Sequence, residues 1–125
     1  MDNKELENVI ETSWENKDEI NGKTLGITKE AVEQALSLLG NGNLRVAEKK
    51  ASGDWTVNQW TKKAVLLSFR IREMELQKGG PQNSTWWDKV DSKFKDWGEP
   101  EWQQQNFRAV PNTVVRASAL SLIHI

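Results

Sequence analysis
The sequence predicts an α+β fold that is mostly α: a small helical domain with one β-hairpin packed on a central helix. Three observations predict it. Apolar residues recur with a helical period over 4–17, 28–39 and 60–71. Between the second and third stretches, 44–49 and 55–58 alternate apolar and polar around a Gly53-Asp54 turn, the pattern of a hairpin. The chain has 125 residues and no internal repeat, which fits one domain with a modest core.

In chain order, residues 4–17 carry an apolar stripe of Leu6, Val9, Ile10 and Trp14 on an otherwise polar helix. Residues 18–27 hold Asn21-Gly22 and Gly26, a connection suited to an antiparallel helix pair. Thr28 is the expected N-cap of the second helix, with Glu30 favourable in its first turn. Ala31, Val32, Ala35, Leu36 and Leu39 form its stripe, and Gly40-Asn41-Gly42 ends it.

The strand expected over 44–49 returns from Trp55 to Asn58, placing Leu44 and Val46 on one face with Trp55 and Val57. Two strands alone are marginal in water, so that face requires cover from the helix that follows. In that helix Trp60, Ala64, Leu67 and Ile71 share a face, widened by Val65, Leu66 and Phe69. A helix apolar on most sides is expected to be buried on most sides, which makes it the centre of the domain.

After Ile71 the periodicity lapses. Arg72 to Gln82, with Lys78-Gly79-Gly80-Pro81, reads as an exposed loop. Trp87, Val90, Phe94 and Trp97 predict a helix within 84–97, with Ser84 or Thr85 as cap. Pro100 starts a short helix through Gln105. Phe107 to Pro111 and Asn112 to Ala119 read as extended.

Composition narrows the function. With 17 Lys+Arg against 18 Asp+Glu the net charge is −1, which offers no field for nucleic acid or an anionic membrane. The absence of cysteine excludes disulfides and thiolate metal sites. No apolar run reaches bilayer length, and Met1-Asp2-Asn3-Lys4 does not open a signal peptide, so a soluble cytoplasmic protein is expected. Seven Trp residues are read as core or interface packing ahead of sugar or base stacking. For Trp86-Trp87 this means one ring in the core and the other in a loop or subunit contact.

Few constellations suggest chemistry. Lys62-Lys63 lacks the glycine-rich loop of a phosphate site and reads as a solvated stripe. Asp88, Asp91 and Asp96 do not have the spacing or glycine of a calcium loop. His124, the single histidine, is isolated near the terminus. No catalytic set, metal site or permanently bound cofactor is assigned.

Several segments together carry a family resemblance: Ile10-Glu11-Thr12, Leu44-Arg45-Val46-Ala47-Glu48-Lys49, and Trp55 to Ile71 with its run Lys62-Lys63-Ala64-Val65-Leu66-Leu67-Ser68-Phe69-Arg70-Ile71. Trp87-Asp88-Lys89-Val90, Ser92-Lys93-Phe94 and Phe107-Arg108-Ala109-Val110-Pro111 complete it. From about Leu6 to Ala119 the chain resembles the N-terminal domain of the tetrahydrodipicolinate N-succinyltransferase family of bacterial lysine biosynthesis. Asp91 stands where many members have proline, so a break there is the alternative to one helix over 84–97.

The resemblance implies a cytoplasmic homotrimer that transfers succinyl from the cosubstrate succinyl-CoA to tetrahydrodipicolinate in its L-2-amino-6-oxopimelate form. It implies a helical N-terminal domain, here 1–106, leading into a left-handed parallel β-helix of hexapeptide coils, whose start is 107–119. Active sites between neighbouring β-helices would lie mostly beyond this chain, which alone is expected to be inactive. The family's Phe-Arg-x-Val-Pro motif implies that Arg108 contacts the dicarboxylate substrate. A guanidinium fork matches a carboxylate in two-point contact; the bland alternative is a surface ion pair with Glu99 or Glu101.

Residues 120–125, Leu-Ser-Leu-Ile-His-Ile, depart from the family pattern and match the translation of a transposon adapter used in DNA library preparation. They are expected to be a non-native tail encoded by CTG TCT CTT ATA CAC ATC. The rival to the enzyme is a free-standing Trp-rich interaction module without catalytic activity.

Overall fold
The computed structural model describes residues 1–105 and 107–120. Three helices, α1 (Asn3–Glu15), α2 (Ile27–Asn41) and α3 (Gln59–Ile71), form a bundle in which each packs on the other two. The α+β, mostly α class expected from the sequence holds, but the described residues form two hairpins. β1 (Ala47–Lys49) pairs antiparallel with β2 (Trp55–Val57), and β3 (Glu75–Gln77) with β4 (Trp86–Asp88). A fourth helix, α4, spans Glu99–Gln103.

The bundle follows the apolar stripes. Leu6 and Ile10 of α1, Ala31, Val32, Ala35 and Leu39 of α2, and Trp60, Ala64, Leu67 and Ile71 of α3 are buried together, with Ile20 and Leu44 closing the ends. Asp2 caps α1 by accepting from the Glu5 N–H at 2.8 Å, while the Glu5 carboxylate accepts from the Asp2 N–H at 2.9 Å. This reciprocal pair satisfies donors that a helix start otherwise leaves open. Gly26, not Thr28, is the N-cap of α2. Its backbone, φ 76° and ψ −151°, suits a residue without Cβ, and Thr28 turns its hydroxyl to Ser13 Oγ of α1 at 3.0 Å. The helix ends as expected, at Gly42 in a left-handed conformation.

α3 departs from expectation in its breadth. Leu66 and Phe69 are exposed, and the buried face is completed by Thr61 and Ser68. Their hydroxyls donate to the carbonyls of Asn58 at 2.7 Å and Val65 at 2.6 Å, which removes the cost of burying them. So α3 is one equal member of the bundle, with no helix wrapped on most sides.

The first hairpin is shorter than 44–49 implied, and its register is different. Ala47 faces Val57 and Lys49 faces Trp55, so Leu44 and Val46 do not join Trp55 and Val57 on one face. A one-residue change of register transfers every side chain to the other side. Trp55 is 67% and Val57 53% exposed, so α3 does not cover them, and Leu44 plugs the bundle on its own.

The stretch read as loop and helix is the second hairpin. Residues 75–77 pair with 86–88, and no helix forms over 84–97. Trp86 lies against Gly80 in the connecting loop, a contact that leaves no room for a Cβ there. Ser92 then bridges to Arg116; Lys93 N donates to the Val115 carbonyl at 2.8 Å and Ala117 N to that of Asp91 at 2.9 Å. The extended character expected of 112–119 is thus confined to the neighbourhood of Arg116, after a turn in which Thr113 N reaches Val110 O at 3.1 Å. Lys93 Nζ joins this half to the bundle, donating to the carbonyls of Gly40 at 2.9 Å and Ala119 at 2.6 Å. A cation there complements the C-terminal end of α2.

Candidate functional site
Arg108 is the candidate ligand-binding side chain, and the structure gives it a specific setting. Upstream, four aromatic rings form a cluster: Phe94, Trp97, Trp102 of α4 and Phe107. Trp102 is its hub, with ring centroids 4.8 Å from Phe94, 4.9 Å from Trp97 and 6.0 Å from Phe107. Downstream, the Val110 carbonyl accepts from both the Thr113 N–H and the Thr113 hydroxyl, the latter at 2.7 Å. Arg108 lies between these two anchored points and is exposed.

The α4 helix positions the hub. Pro100 occupies its first turn, Gly98 is its N-cap, and the Glu101 carboxylate accepts from the Gly98 N–H at 2.8 Å. Glu99 accepts from Gln103 Nε2 at 2.9 Å. The acids considered as partners of Arg108 are thus engaged within their own helix. Among the described residues Arg108 makes no ion pair, so its planar fork of donors is open to solvent.

Other candidates take structural roles. Lys63 pairs with Glu11 across α3 and α1, while Lys62 stays exposed. Trp60 is buried in the bundle, but neither Trp86 nor Trp87 enters the core. Leu76 and Trp87 face each other on one side of the second hairpin, both exposed, and Trp86 makes the loop contact. Glu75, Gln77, Trp86 and Asp88 of the other side, together with Leu76, line a groove of about 1040 Å³ bordered by residues 112–116. Four of its charges neutralise in pairs, Asp88 with Arg116 and Asp91 with Lys95, each at 3.1 Å. Asp91 raises the Lys95 pKa above its ordinary value, chiefly through their hydrogen bond. Arg108 does not line this groove.

Among the described residues no group of three His, Cys, Asp or Glu could hold a metal, and no helix is long and apolar enough to cross a membrane. His124 lies outside the described residues, as does the tail beyond Leu120.

Comparison with known proteins bears on the same segments. A family model described as tetrahydrodipicolinate N-succinyltransferase N-terminal matches residues 5–71. The chain belongs to that family. As a member of the tetrahydrodipicolinate N-succinyltransferase N-terminal family it is also similar to longer proteins. It is 60% identical over 119 residues to the 2,3,4,5-tetrahydropyridine-2,6-dicarboxylate N-succinyltransferase of Ruegeria pomeroyi, covering 95% of this chain and 43% of that protein. It is 58% identical over the same length to the protein so named from Roseobacter denitrificans, with the same coverage. With the one from Rhizobium rhizogenes it shares 59% over 114 residues, 91% of this chain and 40% of the relative. The chain spans less than half the length of these relatives. The match to residues 5–71 coincides with the bundle, whose buried apolar residues run from Leu6 to Ile71.

Of the site, the Phe-Arg-x-Val-Pro segment could be singled out in the sequence. The ring cluster that sets it could not: Phe94 and Trp97 were expected on a helix, and Trp102 carried no signal beyond being aromatic.

Proposed function
We propose that this chain is the N-terminal part of an enzyme that transfers succinyl from succinyl-CoA to L-2-amino-6-oxopimelate, the ring-opened form of tetrahydrodipicolinate, in lysine biosynthesis by the diaminopimelate route. The observation that carries this is identity near 60% across 95% of the chain to proteins bearing that name. Similarity of that extent leaves no Trp-rich segment over to serve as an independent module.

In the reaction the substrate amine attacks the thioester carbonyl; the carbon–sulfur bond breaks, CoA leaves as its thiol, and the amine gives up a proton. This chain's contribution is binding. Arg108 holds a carboxylate of the dicarboxylate through two parallel N–H donors, from a backbone fixed on both sides. Residues 107–119 lead into a left-handed β-helix of hexapeptide coils, which supplies the CoA groove. The intact enzyme is a cytoplasmic homotrimer with its sites between neighbouring β-helices.

The test is a chimera in which residues 1–119 replace the matching N-terminal part of the Ruegeria pomeroyi protein. We expect it to release CoA in the presence of the dicarboxylate, while the 125-residue chain alone does not. A folded but inactive chimera, or turnover by the isolated chain, overturns the assignment. In the chimera Arg108→Ala is expected to raise the dicarboxylate KM roughly 10- to 100-fold, the range for loss of a hydrogen bond to a charged group. Arg108→Lys, with charge but no fork, falls between the two.

A further inference from the structure
We infer that Trp102 is the positioning residue that fixes Arg108 for the dicarboxylate, a role that presupposes the assignment of Arg108 proposed above. The geometry is specific. Phe107 immediately precedes Arg108, and its ring meets Trp102 edge-on, with an interplanar angle of 77°. Trp102 in turn meets Trp97 at 72° and Phe94 at 50°. Edge-on and tilted arrangements at these separations are the favoured ones for aromatic pairs, so the rings lock one another's orientation. Phe94 is held from behind, because its N–H donates to Ser92 Oγ at 3.1 Å and Ser92 bridges to Arg116.

Only Arg108 and Ala109 separate Phe107 from the Val110–Thr113 turn. A span that short has little freedom once both ends are fixed. The guanidinium itself makes no ion pair among the described residues, so its placement comes from the backbone. Phe107 reaches the cluster through two rings, Trp102 at 6.0 Å and Phe94 at 6.2 Å. Trp102 is the one of these carried by a helix, at the turn where Gln105 N reaches its carbonyl at 3.1 Å. Removing the indole frees Phe107 from α4, and with it the carbonyl and N–H that aim Arg108. A substrate-positioning group displaced by about 1 Å is enough to lose up to roughly a hundredfold in rate.

The experiment is a double-mutant cycle in the chimera. Trp102→Ala is expected to raise the dicarboxylate KM about tenfold, with kcat and the succinyl-CoA KM unchanged. Trp102→Phe, which keeps a ring in the cluster, is expected to restore most of the loss. In the Arg108→Ala background, Trp102→Ala is expected to add nothing, since its effect passes through Arg108. An additive effect, or equal losses toward both substrates, makes Trp102 merely structural and overturns the inference. So does a silent Trp102→Ala where Arg108→Ala raises KM. A silent Arg108→Ala instead removes the assignment of Arg108, and the positioning role with it. Trp102→Phe and the helical circular-dichroism melt keep the result readable if Trp102→Ala fails to fold.

Discussion
Leu66 and Leu67 are the same residue type in adjacent positions with opposite surroundings. Leu67 is 0% exposed between the three helices, while Leu66 is 39% exposed on the outer side of α3. Deleting the Leu67 side chain removes buried methyl groups and leaves a cavity, so Leu67→Ala is expected to cost about 3 kcal/mol. Leu66→Ala is expected to stay near 0.5 kcal/mol, as exposed positions do. Urea unfolding midpoints of the two variants check this directly; equal losses mean that α3 is rotated from the orientation described. From the sequence Leu66 counted with the core, because seven apolar residues crowd this helix and periodicity cannot say which flank is covered. Thr61 and Ser68 decide it, since a hydroxyl bonded to its own helix can be buried at little cost. Arg108 was legible only by resemblance. An exposed arginine has no periodicity, burial or perturbed neighbour that would mark it in a sequence.

At the scale of elements, helices with a clear stripe and the first hairpin were readable, and the second hairpin was not. Leu6 and Ile10, or Ala31, Val32, Ala35 and Leu39, state their burial through spacing alone, and each is buried. Trp87, Val90, Phe94 and Trp97 also have helical spacing but go to three destinations: an exposed strand face, the groove wall, and the ring cluster. Nothing local separates that coincidence from an amphipathic helix, because strand pairing with residues 75–77 is settled across the loop. The first hairpin was readable in position but not in register. Its register depends on how Leu44 leaves the strand to fill the bundle, which alternation does not encode. For the second hairpin the decisive loop contact is Trp86 over Gly80. Gly80→Ala inserts a methyl into that contact and is expected to speed amide exchange in residues 75–77 and 86–88 by about tenfold or more. Exchange in α1, α2 and α3 stays unchanged. Unaltered hairpin protection means that Trp86 does not rest on Gly80.

For the whole molecule, the distribution of burial predicts unequal stability. Among the described residues, all buried apolar residues lie between Leu6 and Ile71. The remaining half is held by the ring cluster, short ladders and a few polar links such as Lys93 to Gly40 and Lys89 Nζ to the Phe69 carbonyl at 2.8 Å. Local opening is easiest where apolar burial is sparse, so residues 72–120 are expected to open without the bundle. Limited proteolysis is expected to cut first in the exposed 78–84 connection and leave a resistant piece ending near Arg72. A chain of residues 1–72 is expected to keep the helical signal of α1 to α3 and a cooperative thermal transition, with Trp60 still shielded. Loss of that transition means that the second half supports the bundle through contacts stronger than these polar links. Persistence of the bundle has a functional corollary. The span matched by the family, residues 5–71, is then an autonomous platform, and Arg108 is ordered by the ring cluster and the Val110–Thr113 turn outside it. Comparing amide protection at residues 107–113 in the 125-residue chain and in the chimera tests this. Equal protection is the expected result, and greater protection in the chimera means that the adjoining segment, not the ring cluster, orders Arg108.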